Sequence, residues 1–335
     1  MKLIWKLVII AVVAGLALSA MGMALGASRA LYWSKNGIVT DIEDRTVISH
    51  PDLGYVKSIE INAKFADVRI VESDAFGLEI FGREEEWKWE LSGDALRIEN
   101  MPRGRIQVFD FNWIDHRSDY VKVFIPAGAE FEKVVLKSDS GDAVLGGFTA
   151  NETQINVKFG DVSLKSAKSD RLSVDMGSGD FSCEELAAKT LSYKNKFGEG
   201  KFKAVSADKF TAENESGDLE LTGCAFSDTD ISVKFGGVKA KDIKSSKTYI
   251  SSESGDVSLE GDFTGETVIR NKFGDINLTA ARAREFYSYD ISARFGVVRF
   301  GDDRMGDNAS INSGAVTENH LKINSESGDI TVKFK

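Results

Sequence analysis

From Gly141 onward every nineteenth position is a glycine: Gly160, Gly179, Gly198, Gly217, Gly236, Gly255 and Gly274. The residue before it alternates strictly between Ser and Phe, from Ser140 and Phe159 to Ser254 and Phe273. The residue after it is acidic everywhere except at Gly237. A fixed period of this length marks a repeat architecture, in which each unit buries its apolar face against its neighbours.

Within one unit the pattern is that of strands. Ile155, Val157 and Phe159 alternate with polar residues, Gly160-Asp161 interrupts, and Val162 and Leu164 resume the alternation. Two short half-buried strands joined at a Gly-Asp bend satisfy this pattern. On that alternation the Ser/Phe site before the glycine points inward, a large ring filling space beside a small neighbour. A further apolar column stands seven positions after the glycine: Phe148, Ala167, Leu186, Val205, Cys224, Ile243 and Ala281. Asp262 breaks it, with Phe263 as its replacement.

One coil corresponds to a single glycine-to-glycine step and not to two. The outward site two before the glycine runs Asp139, Lys158, Gly177, Lys196, Glu215, Lys234, Glu253, Lys272. Adjacent 19-residue coils set opposite charges side by side, whereas a 38-residue coil would stack Lys on Lys. The expected fold is therefore all-β: a β-solenoid, or single-stranded β-helix, of about 19 residues per coil. Lys64-Phe65-Ala66-Asp67-Val68 repeats the phenylalanine version with Ala at the glycine, so the solenoid is expected to begin near residue 55. Later glycines at Gly296, Gly314 and Gly328 fall out of step, which suits an irregular C-terminal cap.

The N-terminus differs in kind. Lys2 and Lys6 precede an uncharged run over residues 7–27, long enough to span a bilayer and longer than a typical signal-peptide core. It reads as a transmembrane helix, with cleavage as a signal segment as the alternative, and either exports the rest. The resulting division is 1–27 anchor or signal segment, 28–54 linker and first strand, 55–130 irregular coils, and 131–335 regular solenoid with its cap. The expected location is the cell membrane, single-pass, with an extracytoplasmic C-terminal domain.

Composition narrows function by exclusion. Setting aside Lys2 and Lys6 leaves 40 basic against 52 acidic residues, a net charge of about −12, so nucleic acid is not an expected partner. Cys183 and Cys224 fall two units apart at different offsets, roughly 9–10 Å, beyond disulfide reach, and read as small core hydrophobes. His50, His116 and His320 lie at no metal-ligand spacing. No nucleophile elbow or phosphate loop appears. The acidic column after the glycines could offer oxygens to Ca²⁺, but each Asp is expected to hydrogen-bond its own turn. No catalytic, cofactor-binding or metal residues are therefore assigned.

The one candidate binding surface is an aromatic insertion near residues 100–120. There Arg103-Gly104-Arg105 leads to Phe109, Phe111, Trp113, His116 and Tyr120. It reads as a binding loop for a glycan, lipid headgroup or protein, or as a hairpin folded over the open end of the solenoid. Trp87 and Trp89, alternating with charges, read as one face of a strand.

The recurring Ser-Gly-Asp-Leu at Ser216, Ser-Gly-Asp-Val at Ser254 and Phe-Gly-Asp-Ile at Phe273, behind an N-terminal anchor, resemble the bacterial putative-adhesin β-solenoid family of unknown function. The likeness covers about residues 55–335 and extends to the membrane-anchored, LiaG-like branch, which is encoded with envelope-stress-response systems. It implies an extracytoplasmic, non-catalytic binding or scaffolding protein, with an envelope protein or cell-wall glycan as partner and no defined oligomeric state. Two other classes remain: a β-helix polysaccharide-active enzyme, and a regulatory partner of a membrane sensor docking through the insertion.

Overall fold

The computed structural model of the chain describes residues 2–24, 30–34, 37–40, 45–101, 106–110, 118–314 and 317–335. Across the stack from Phe148 to Phe273 the paired strand residues lie 19 positions apart in parallel register, apart from a one-residue shift at Ile243–Ser245. Ile155 lies beside Val174, Val174 beside Tyr193, Tyr193 beside Ala212, and Ala212 beside Ile231. One coil is thus one 19-residue step. Strands on either side of each glycine bend enclose a continuous apolar core, with Ile155, Val174, Phe181 and Phe210 among its fully buried members.

The glycine column is required twice over. Its members from Gly141 to Gly274 hold φ between +123° and +145°, a region L side chains rarely adopt. A Cβ on any of them would also be driven into the carbonyl of its neighbour in the stack, as at Gly179 against the Gly160 oxygen. The coils approach this closely because nothing but hydrogen stands between them. A second corner six positions on also has positive φ, but it tolerates Ser166, Glu185, Ala204 and Asp242 as well as Gly147 and Gly223. That corner leaves the added atom space at Gly223.

Charge pairing follows the same step. Lys158 meets Asp139 at 2.7 Å, Lys234 meets Glu215 at 3.4 Å and Lys272 meets Glu253 at 3.3 Å, each one coil apart. Exposed pairs of this kind contribute only ~0–1 kcal/mol each, so their effect is on register more than on stability.

Three expectations are corrected. First, the phenylalanines before the glycines point outward: Phe159, Phe197, Phe235 and Phe273 are 58–61% exposed. Val157 is buried and Lys158 exposed, and the bend at Gly160 turns the chain before Phe159 can return to the core. Second, each Asp after the glycine bonds the next coil's turn and not its own. Asp142 Oδ1 accepts the Asp161 N–H at 2.9 Å, and Asp161 accepts that of Asp180 at 2.8 Å. Third, Ala281 is exposed and stands outside the buried column, whereas Phe263 is buried beside a register shift at Ala240/Ile243.

The ends are not stacked in sequence order. Ser58–Phe65 lies against Ala129–Ser140, a strand far along the chain, and Ala95–Asn100 lies on its other side. At the far end the last strands, His320–Ser327 and Ile330–Phe334, are inserted between the coil at residues 266–280 and the outermost coil at 288–300. Antiparallel strands close both ends. Trp87–Ser92 and Arg45–His50 do so at one, Ser310–Asn312 and Asp303–Asp307 at the other. Such strands stop parallel coils from adding on indefinitely.

The segment expected as linker and first strand contains three strands, Ala30–Ser34, Gly37–Thr40 and Arg45–His50. The first two join Ile106–Asp110 in a separate antiparallel sheet, so the described part of the insertion pairs with this segment. Before them runs the helix α1, Lys2–Ala24. Among the described residues no helix is long and apolar enough to cross a membrane.

Two tests follow from these contacts. Gly179→Ala should cost at least about 3 kcal/mol, combining backbone strain with a clash on main-chain atoms that cannot swing away. Gly223→Ala, at the tolerant corner, should cost about 1 kcal/mol. Chemical denaturation of both variants makes the comparison, and equal losses would refute the close-approach account.

The second test concerns acid. The Val297 N–H and the Arg299 guanidinium hold the Asp329 carboxyl below the usual carboxylate range, and Arg282 does the same to Asp262 through two hydrogen bonds. A carboxylate whose folded pKa is depressed stabilises fully above its unfolded value of about 3.9 and loses that contribution as pH falls through the lowered value. The fall in melting temperature between about pH 5 and about pH 3 should therefore be smaller in Asp329→Asn and Asp262→Asn than in the parent.

Candidate binding surface

Of the residues expected to form the binding surface, Phe109 lies in the strand Ile106–Asp110, paired with Ala30–Ser34. Phe111, Trp113 and His116 lie outside the described residues. Tyr120 leaves the insertion altogether: it opens the strand Tyr120–Pro126 and stacks on Phe81 with centroids 5.4 Å apart. Its hydroxyl donates to Glu79 Oε1 at 2.9 Å, and Lys122 Nζ reaches the same oxygen at 2.8 Å. Lys122 accordingly holds the Glu79 carboxyl below its ordinary range, while burial raises the Tyr120 phenol.

A cleft of about 570 Å³ opens at the same end of the solenoid, lined by Ile48, His50, Glu84, Trp87, Lys88, Trp89, Glu90, Arg97 and Glu99. Its volume falls in the range of small-molecule sites. Trp87 and Trp89 share one face of an end strand, as their alternation with charges predicts, and the His50 ring lies 4.2 Å from that of Trp89. The Trp87 indole N–H is buried and has no acceptor among the described residues. Arg97 also borders a second cleft of about 450 Å³ containing Glu60, Lys133, Lys137 and Gln154. It pairs there with Glu60 at 3.4 Å and with Glu90 at 3.8 Å. Aromatic surface beside fixed charges suits a polar ligand with an apolar face. This cleft was not singled out in the sequence because Arg45–His50 and Trp87–Ser92 are brought together only by the end caps.

The third feature is the edge beside the glycines. Going up the stack, Phe65, Ser140, Phe159, Ser178, Phe197, Ser216, Phe235, Ser254, Phe273, Ser327 and Phe295 follow one another. The alternation survives the reordering at both ends. All six rings are exposed.

The aspartates after the glycines are engaged in the fold. The carboxylates after the glycines accept backbone N–H groups from coil to coil, through Asp256, Asp275 and Asp329 to Val297 at the far end. Cys183 and Cys224 are free thiols buried in the core, as expected, and burial pushes the Cys183 thiol up to about 12. Among the described residues no group of three or more His, Cys, Asp or Glu is placed to hold a metal ion.

The Toastrack family model, DUF4097, matches the repeat body twice, over residues 56–183 and 166–333. The chain belongs to the Toastrack family. No curated protein matches it in sequence. Among solved structures it is similar to a putative adhesin from Bacteroides fragilis, at 14% identity and TM-score 0.44, over 88% of this chain and 98% of that one. A putative lipid binding protein from Parabacteroides distasonis matches at 16% identity and TM-score 0.35, over 68% and 96%. A putative adhesin from the same organism matches at 12% and 0.36, over 87% and 98%. These likenesses are too distant to carry a functional argument. The Toastrack assignment agrees with the resemblance read from the repeat motifs.

The outward placement of the edge rings is checked by substitution. Phe197→Ser should leave stability within about 0.5 kcal/mol, as exposed positions do. Phe181→Ala, at a fully buried site, should cost about 3–5 kcal/mol. Equal losses in thermal or urea unfolding would place Phe197 in the core.

Proposed function

We propose that this Toastrack protein is a non-catalytic, adhesin-like binding or scaffolding protein displayed on the outer side of a bacterial cell membrane, with the N-terminal run as its single-pass anchor. In support of the anchor, the described apolar side chains of α1, including Ile9, Ile10, Val13 and Leu18, are exposed. Lys2 and Lys6 flank the run on one side. The division into residues 1–27, 28–54, 55–130 and 131–335 belongs to the same proposal, with the solenoid as the extracytoplasmic part.

The observation that carries the binding reading is the end cleft, where Trp89 and His50 offer an aromatic floor beside the charges of Glu84, Lys88, Glu90 and Arg97. Phe109, Phe111, Trp113 and His116 extend the proposed surface through the insertion, whose strand Ile106–Asp110 pairs with the segment that follows the helix. An envelope glycan or an envelope protein is the partner class we favour, and the Glu79–Lys122–Tyr120 cluster serves the fold.

Capture from envelope extracts tests this. Full-length protein should retain a glycan or a protein above a heat-denatured control. Trp89→Ala combined with His50→Ala should weaken retention at least about tenfold, the equivalent of 1.4 kcal/mol. Equal retention by the double variant would remove the cleft from the account, and no retention at all would remove the binding function.

A further inference from the structure

The exposed edge is patterned in two ways at once. Rings stand on every second rung, about 9.6 Å apart at a strand spacing of about 4.8 Å, and serines leave gaps between them. The rungs also alternate in charge. A cation precedes every ring, as in Lys196-Phe197 and Lys234-Phe235, while Asp139, Glu215, Glu253 and Glu326 precede four of the five intervening serines, with Gly177 at the fifth. A surface that is knob and cation on one rung, gap and anion on the next, is complementary to itself when shifted by one rung. Neither a bilayer nor a uniform polymer calls for a charge that changes sign at each step.

We infer that this edge is the docking surface for a second copy of the chain, joined antiparallel about a two-fold axis perpendicular to the stack. Placed between a Phe rung and a neighbouring Ser rung near Ser216, the axis brings each overlapping ring opposite a serine gap and each overlapping cation opposite an acidic residue, except the one that faces Gly177. Such an interface is isologous and closes on itself. Its size is adequate. A Phe side chain buries roughly 200 Å² in full, so the five overlapping rings, about 60% exposed, offer about 600 Å² of apolar surface on one copy. Two copies would cover about 1,200 Å² through the rings alone, at the lower end of the range for a specific complex. The edge is separate from the end cleft and does not depend on what the cleft binds.

Position-specific cross-linking of the full-length protein in detergent tests this, because association through α1 alone would give no preferred register. Cys183 and Cys224 are buried and leave an introduced surface thiol as the reactive one. Ser216→Cys, next to the axis, should give a covalent dimer with a short bismaleimide. Ser140→Cys should not, since its two copies would sit at least seven rungs, about 34 Å, apart. Replacing Phe197, Phe235 and Phe273 with Ser in the Ser216→Cys background should cut the dimer at least tenfold with the melting transition retained, and Leu at the three positions should restore part of it. Cross-linking of Ser140→Cys equal to that of Ser216→Cys would contradict the antiparallel register. The proposal is overturned by a dimer that survives loss of the three rings. It is also overturned by Ser216→Cys protein that stays monomeric while its edge, intact but not with three serines, binds phosphatidylglycerol vesicles or insoluble chitin.

Discussion

The contact of one glycine with the next sets everything else in this solenoid. Because each coil presses its bend against the carbonyl of its neighbour, a side chain is excluded there and the bends must stack in line. Stacked bends fix the register of the strands on either side, and that register decides which charges pair and which residues share a column. The column even extends through the reordered end, from Gly274 to Gly328 to Gly296, so the contact is kept where chain order is not.

Next to the glycines runs a second ladder, built from carboxylates. From Asp67 through Asp142, Asp161 and Asp180 to Glu199, each acidic oxygen accepts the N–H of the residue one rung up. Inside the bend, Asn195, Asn214 and Asn271 donate to glycine carbonyls that approach from neighbouring coils. Backbone groups of the bends thus find side-chain partners from both sides. This arrangement commits the acidic column to structure. It leaves the aromatic edge and the end cleft as the surfaces free for recognition.

How much of this was legible in the sequence differs from element to element. The 19-residue coil was, because period and charge alternation both declare it: Lys158 can meet Asp139 only if one coil is one step. The facing of Phe159 was not. Period-2 counting assumes a straight strand, and the bend at Gly160 turns two successive side chains outward. The order of the ends was hidden for another reason. The partners Ser58 and Lys133, or Phe273 and Ser327, are remote from each other in the chain, and no local pattern records which distant strand fills a gap in the stack. The end cleft was lost with them, since His50 and Trp89 meet only after those caps assemble. Phe111, Trp113 and His116 stay with the proposal, outside the described residues.

The central claim is that a 19-residue step between glycines is one physical rung. Spin labels at positions 159 and 273, six steps apart on the exposed edge, test it directly by pulsed dipolar spectroscopy. A narrow distribution centred at about 29 Å, six times the usual strand spacing, is the result this account predicts. A distance of about 14 Å, as from a 38-residue coil, or a broad distribution would contradict it.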